Sequence, residues 1–392
     1  MKIGLVLSNT PSKSETFFNS KIMGLQESGY EVVLFANKDN NFHFCRMVPH
    51  PKVNNLIFIK LARMMIAYGI LFINYPIIFF RFLHLEKKDG VTIRTRWENL
   101  YLNSHILKEK LDWLHFGFAT MSIRRENVAR AIGAKMGVSL RGYDICIYPL
   151  KHLGCYQKVW GKVDKVHSIS RDLLETAEKH GLTKKTFQAI IQPAVDVDYF
   201  NSKEKKFNNW NIQETINFLT VARLHWKKGL EYTLQALAVL KEKNISFHYT
   251  IIGEGQERER LIFATHQLGL DDQVTFAGLV PHQNILKYYE DADIYLQYSI
   301  QEGFCNAVLE AQAMGLLTIV SNAEGLPENV IHNKTGWVVP KLNSKFLARK
   351  VIDVINTDIG YKMKISINAH KRTIENFNLV NQKRLFNSFY SY

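Results

Sequence analysis

The stretch Ile294-Tyr295-Leu296-Gln297-Tyr298-Ser299-Ile300-Gln301-Glu302-Gly303-Phe304-Cys305-Asn306-Ala307-Val308-Leu309-Glu310-Ala311-Gln312-Ala313-Met314-Gly315-Leu316-Leu317-Thr318-Ile319-Val320 decides the fold. Its apolar start, Ile294 to Gln297, reads as a buried strand that enters a loop at Gly303. Asn306 suits the N-cap of a helix carrying Glu310, Gly315 ends that helix, and Leu316 to Val320 reads as the next strand. The helix N-terminus turns unpaired amides and the positive end of its dipole toward whatever sits in the loop. Glu302 then stands in the loop and Glu310 inside the helix. Two carboxylates at this spacing also suit a solvated helix face. At such a loop they can instead accept hydrogen bonds from the hydroxyls of one polyhydroxylated ligand whose phosphates lie near the amides.

Strands and helices alternate on either side of this stretch. Phe218 to Val221, Phe247 to Ile252, Val274 to Ala277, Ile294 to Gln297 and Leu317 to Val320 are spaced as parallel βα units require, up to about Val338. Upstream, strand-like runs at Ile3 to Leu7, Glu31 to Phe35, Trp113 to Phe116 and Lys165 to Ile169 alternate with helical stretches. The expectation is an α/β protein of two doubly wound Rossmann-like domains, residues 1–200 and 214–370, facing each other across a cleft and joined by a polar linker at 201–213. At 392 residues two domains are the default, because a single core stops growing at about 250–300.

Composition narrows the partners. A net charge of +14 calls for an anionic partner. The basic segments carry no helix-turn-helix, RNA-binding or zinc-ligand spacing, so phosphorylated substrates and an anionic membrane surface are expected and nucleic acid is not. Cys45, Cys146, Cys155 and Cys305 lie scattered, as reduced thiols do, and the apolar run at the N-terminus is too short for a signal peptide; both suit the cytoplasm. One segment, 56–85, strains solubility. Between Arg63 and Arg81 it carries no charge, Asn74 and Pro76 interrupt it, and Lys60, Lys87 and Lys88 join the two arginines as basic flanks. It reads as two helices packed partly on their own domain and partly against the interface of an anionic membrane, at the inner face of the cell membrane; a spanning helix and wholly internal core helices are the alternatives.

Further motifs extend the pattern. Phe218-Leu219-Thr220-Val221-Ala222-Arg223-Leu224-His225-Trp226-Lys227-Lys228-Gly229 is a strand followed by basic residues. Ile251-Ile252-Gly253-Glu254-Gly255 is a strand and turn, and Phe276-Ala277-Gly278-Leu279-Val280 and Gly325-Leu326-Pro327-Glu328-Asn329-Val330 follow in order. Together with Glu302 and Glu310, an E-x7-E signature, these segments resemble the retaining glycosyltransferases of the GT-B fold, family GT4. Ser14-Glu15-Thr16-Phe17, Leu114-His115-Phe116-Gly117 and Ser139-Leu140-Arg141-Gly142-Tyr143-Asp144-Ile145 resemble the subgroup that builds exopolysaccharides such as colanic acid and amylovoran.

The resemblance implies a metal-independent hexosyltransferase that moves a sugar, with retention, from a UDP- or GDP-linked donor to a lipid-linked saccharide in surface polysaccharide synthesis; it implies no cofactor. Arg223 and Lys228 would hold the diphosphate and stabilise its charge as it leaves. Glu302, with the amides of Gly303, Phe304, Cys305 and Asn306, would hold the donor sugar. Glu310 would bind the ribose, with Gly253, Gly255, Gly278 and Val280 lining the nucleotide. His115 would face the nucleotide-sugar cleft as a catalytic residue, and Ser14, Glu15, Thr16 and Arg141 would line the acceptor side, Arg141 standing where many family members carry a histidine. The last helix, within 371–392, would pack back on the first domain. A GT-B nucleotide-sugar epimerase and a non-catalytic, membrane-associated nucleotide-sugar binder are the alternatives.

Overall fold

The computed structural model describes residues 1–11, 16–39, 41–53, 56–201 and 215–391. The chain divides into two compact units, Met1–Ile169 with Leu173–Ile191 and Lys383–Tyr392, and Ser170–Asp172 with Gln192–Gln382. From residue 202 onward the expected linker lies outside the described residues.

The first unit is built on seven strands, β1 (Lys2–Val6), β2 (Glu31–Ala36), β3 (Arg46–Pro49), β4 (Trp113–Phe116), β5 (Lys135–Leu140), β6 (Lys165–Ser168) and β7 (Phe187–Ile190). They pair in parallel in the order β3-β2-β1-β4-β5-β6-β7. The order reverses direction at β1 and β4, and parallel strands covered on both faces are mostly apolar, as in the wholly buried β4, where His115 is the one polar residue. Strands β3, β5 and β7 were not expected. The first and last are short edges, and Gly137 and Ser139 dilute the apolar run of β5.

The second unit carries β8 (Ile216–Val221), β9 (Phe247–Ile252), β10 (Val274–Gly278), β11 (Ile294–Gln297), β12 (Leu317–Ser321) and β13 (Trp337–Val339). These pair in parallel in the order β10-β9-β8-β11-β12-β13. Its core is continuous from Phe218 and Tyr249 through Leu296 and Ile319 to Leu347 and Val351 on the covering helix Ser344–Ile355.

Segment 56–85 forms two helices, Ile57–Asn74 and Pro76–Lys88, separated at Tyr75 because Pro76 has no N–H with which to continue the first. The reading of wholly internal core helices does not hold. Along the first helix only Ala67 and Leu71 are buried, whereas Phe58 is 84% and Ile73 74% exposed. This helix is long and apolar enough to cross a membrane.

Candidate functional site

In a parallel sheet every strand delivers its following loop to the same edge, and ligands of such sheets bind at that edge. The turn after β8, the Gly253–Gly255 turn after β9, the loop 298–305 after β11 and the segment after β12 therefore converge. The convergence is close. Ile300 N–H donates to the Lys227 carbonyl at 2.7 Å, Leu224 N–H to the Glu254 carbonyl at 3.0 Å, and Gly325 N–H to the Glu302 carbonyl at 2.9 Å. A side chain at Gly253 (φ 137°) would place its Cβ 2.0 Å from the Ala222 carbonyl oxygen, and one at Gly325 would lie 1.8 Å from that of Gly303. Glycine is thus required where these loops touch.

Lys228 and Glu302 form an ion pair within this edge, both side chains largely buried. Burial alone would lower the Lys228 pKa, but the Glu302 carboxylate raises it further and the net shift is upward, so the amine is held charged. Glu302 is fixed from behind: its N–H donates to Glu324 Oε2 at 2.9 Å, and Lys341 Nζ binds Glu324 Oε1 at 2.7 Å and the Ile300 carbonyl at 3.0 Å. Below the pair a buried polar chain runs from Tyr295 through Gln297 to Ser299, with Tyr295 O–H on Gln297 Oε1 at 3.0 Å and Gln297 Nε2 on Ser299 Oγ at 2.8 Å. Arg223 projects from the same edge with its side chain exposed.

The helix after the loop spans Asn306–Ala313, and its N-cap is Cys305, not Asn306. Cys305 supplies no side-chain cap. The capping group comes from elsewhere: Asn329 Oδ1 accepts from Cys305 N–H and Asn329 Nδ2 donates to the Cys305 carbonyl, each at 3.0 Å. The Cys305 amide is consequently already used, which removes it from the amides expected to hold a sugar. Burial pushes the Cys305 thiol up to about 12 and keeps it protonated. Glu310, within the helix, accepts from Tyr289 O–H at 2.7 Å; burial raises its pKa and the tyrosine bond opposes the rise. Gly278 (φ 67°) closes β10 and its carbonyl accepts from Gly253 N–H at 2.8 Å, so the end of β10, two residues before Val280, adjoins the Gly253–Gly255 turn. Glu324, Lys341, Tyr289 and Asn329 went unremarked as site residues in the sequence. Asn329 alone carried a signal, through the Gly325–Val330 motif.

In the first unit His115 does not face a cleft. It is fully buried on β4, opposite Leu5 on β1 and Gly137 on β5. Its partners define a directional chain. His167 Nε2 lies 2.9 Å from the Ile191 carbonyl and must donate; its Nδ1 then accepts from Ser139 O–H at 2.8 Å, Ser139 Oγ accepts from His115 Nε2 at 2.7 Å, and His115 Nδ1 accepts from Tyr390 O–H at 2.8 Å. Both imidazoles are neutral in this arrangement. Burial, with Lys21 and Arg141 nearby, keeps their pKa values well below the usual range. Lys21 is itself buried, 3.2 Å from His115 Nε2 and 4.4 Å over the Phe386 ring. His115 therefore ties the last helix, Leu379–Tyr390, to the sheet. Arg141, at the carboxyl end of β5, stacks on Phe17 at 4.0 Å. Ser14 and Glu15 lie outside the described residues, as does the side chain of Thr16, which opens the helix Thr16–Glu27. Among the described residues no group of three or more His, Cys, Asp or Glu could hold a metal.

Comparison with known proteins agrees with this geometry. Residues 202–372 match the family Glycosyl transferases group 1. The chain is 28% identical to the amylovoran biosynthesis glycosyltransferase AmsK of Erwinia amylovora over 60% of its own length and 58% of that protein. It is also 28% identical to WcaL of Escherichia coli strain K12, named for colanic acid biosynthesis, over 67% of its own length and 66% of that protein. The chain thus spans somewhat under two thirds of the length of these relatives. A sucrose-phosphate synthase from Thermosynechococcus elongatus superposes with a TM-score of 0.75 at 18% identity, covering 100% of this chain and 98% of the other. HepE of Anabaena, solved in complex with UDP-glucose, gives 0.73 at 14%, covering 100% of both chains. The chain has the GT-B fold, and its residues 202–372 match a glycosyl transferases group 1 domain.

Proposed function

We propose that this protein is a retaining, metal-independent hexosyltransferase that moves a sugar from a UDP- or GDP-linked donor to a lipid-linked saccharide during surface polysaccharide synthesis. The observation that carries this reading is the Lys228–Glu302 pair at the carboxyl edge of the second sheet, beside exposed Arg223 and hydrogen-bonded Glu310. A largely buried cation held charged by a neighbouring carboxylate suits a diphosphate leaving group. Arg223 supplies a planar donor fork and Lys228 a point charge, so the leaving phosphate needs no metal. Glu302, with the amides of Gly303, Phe304 and Asn306, takes the sugar hydroxyls; Glu310 takes the ribose, and the Gly253–Gly255 turn, Gly278 and Val280 border the nucleotide. The departing phosphate accepts the acceptor's proton in a front-face attack, its charge stabilised by Arg223 and Lys228. Relatives named for amylovoran and colanic acid biosynthesis support polysaccharide assembly, and a neighbour solved with UDP-glucose supports the donor class.

Arg141, together with Ser14, Glu15 and Thr16, is assigned to the acceptor side. The exposed apolar face of Ile57–Asn74, flanked by Lys60, Arg63, Arg81, Lys87 and Lys88, supports peripheral contact with an anionic membrane at its cytoplasmic face.

Thermal shift without added metal, against UDP- and GDP-linked sugars, tests the donor assignment. One nucleotide sugar at a hundredfold excess over its Kd should add about 2.7 kcal/mol to stability. Arg223→Ala and Glu310→Ala should abolish the gain, and the anomeric configuration of the product by NMR tests retention. If no nucleotide sugar shifts the wild-type protein, the donor assignment fails.

A further inference from the structure

The first unit holds a second basic cluster whose residues neither the motifs nor the donor site use. His50 follows β3 and His105 follows the helix Ile93–Asn103. His50 Nε2 lies 2.7 Å from the carbonyl of Leu7, just past β1, so that nitrogen carries the proton. Its Nδ1 is then a lone pair that accepts from His105 Nε2 at 3.0 Å, with the rings edge to face at 5.1 Å. The positive charge of Arg125 acts on both imidazoles and that of Lys108 on His105. Arg125 donates through Nη1 to the Met121 carbonyl at 3.0 Å, while its Nε is buried without a hydrogen-bond partner among the described residues.

Arg125 is close to Arg124 and to the carboxylate of Glu126, but the charged neighbours acting on His50 and His105 are all basic. Burial and this mutual repulsion hold both imidazoles below their usual range, with the Leu7 and Leu102 carbonyls opposing the shift. A buried, unpaired guanidinium N–H beside imidazoles kept neutral by repulsion is a costly arrangement. A tetrahedral polyanion relieves each element of it: it fills Arg125 Nε, offsets the repulsion and favours a proton on His105 Nδ1, which is buried without a hydrogen-bond partner among the described residues, while His50 holds the His105 ring in place. The cluster is reachable, since His50, Lys108 and Arg125 are half-buried, and His105 at 9% exposure forms its floor.

We propose that His50, His105, Lys108 and Arg125 form a phosphoryl-binding site at the carboxyl ends of β1 and β3, taking a phosphomonoester or diphosphate. Its assignment to the phosphoryl group of an acceptor rests on the proposed transferase; the anion site itself does not.

The test is calorimetric titration of the full chain carrying Arg223→Ala, which disables the donor's diphosphate site, with sodium pyrophosphate. One-site binding should persist there and weaken at least tenfold when Arg125→Gln or His105→Gln is added, with Arg125→Lys recovering part of it. Circular dichroism melts report folding, and His50→Gln replaces any variant that fails to fold. Absence of pyrophosphate binding to the Arg223→Ala protein, or binding untouched by both added substitutions, overturns the site. Geranyl diphosphate then separates the sources: binding at least fivefold tighter than pyrophosphate marks a prenyl-borne phosphoryl group, and equal binding a free one. Failure of the transferase reading is seen separately, in the nucleotide-sugar shift of the wild-type protein.

Discussion

His115 and the Lys228–Glu302 pair both sit at or beyond the carboxyl end of a central parallel strand, β4 in one unit and β8 and β11 in the other, yet they are opposite kinds of polar site. The His115 network is closed along its length: every donor from Tyr390 to His167 has an acceptor within the core, and both imidazoles are neutral. The donor-edge site is open. Its charges balance one another across loops rather than within a core, and Arg223 reaches solvent. Strand position alone therefore does not mark a functional histidine or lysine; the state of its hydrogen bonds does.

The largest expected effect tests the open side. Lys228→Met leaves Glu302 unpaired and removes a cation from the leaving group, so kcat/KM for nucleotide-sugar turnover should fall about 10²- to 10³-fold, read in a coupled nucleotide-release assay. On the closed side, His115→Ala breaks the relay at its centre. It should cost about 3 kcal/mol in urea unfolding while kcat/KM of the folded fraction stays within about twofold. A variant that keeps its stability but loses activity would reverse the comparison. Gly137→Ala sharpens it, because the added Cβ would lie 2.7 Å from His115 Nδ1. That crowding should cost about 1–3 kcal/mol, again without a catalytic defect.

Glu310 stands between the two extremes, half-buried and held by the Tyr289 hydroxyl. A carboxyl whose folded pKa is raised contributes stability below its unfolded pKa of about 4.3 and loses it as pH rises through the folded value. Glu310→Gln should therefore stabilise the protein at pH 8 relative to wild type, with the gain shrinking toward pH 4, while weakening donor binding about tenfold. The smallest effect is expected at Glu324→Gln, which loosens the grip on the Glu302 amide. KM for the donor should rise about threefold with kcat little changed, in steady-state assays.

The sequence carried the interior of the fold well. The strands flanking the Glu302 loop lie within a residue of their expected ends because they are buried on both faces and read as continuous apolar runs. It carried edges poorly: β3, β7 and β13 are three or four residues long and leave little periodic signal. The N-cap was misplaced because Asn306 looked like a local cap, whereas the capping group is Asn329, 24 positions away. His115 was misread for the same reason. Its partner Tyr390 is 275 positions distant, and no local pattern announces that a strand-end imidazole has been claimed by a far helix.

That distant partnership also sets an order of events. The last turn of the helix Leu379–Tyr390 completes the core of the first unit through Phe386, Phe389 and Tyr390; Trp113 Nε1 donates to the Tyr390 carbonyl at 3.2 Å and Lys165 Nζ to that of Phe389 at 2.6 Å. During synthesis the sheet that begins at Lys2 must then wait, with Lys21 and two imidazoles uncovered, until nearly the whole second unit has been made. The unit whose strands emerge first from the ribosome is the one whose core closes last.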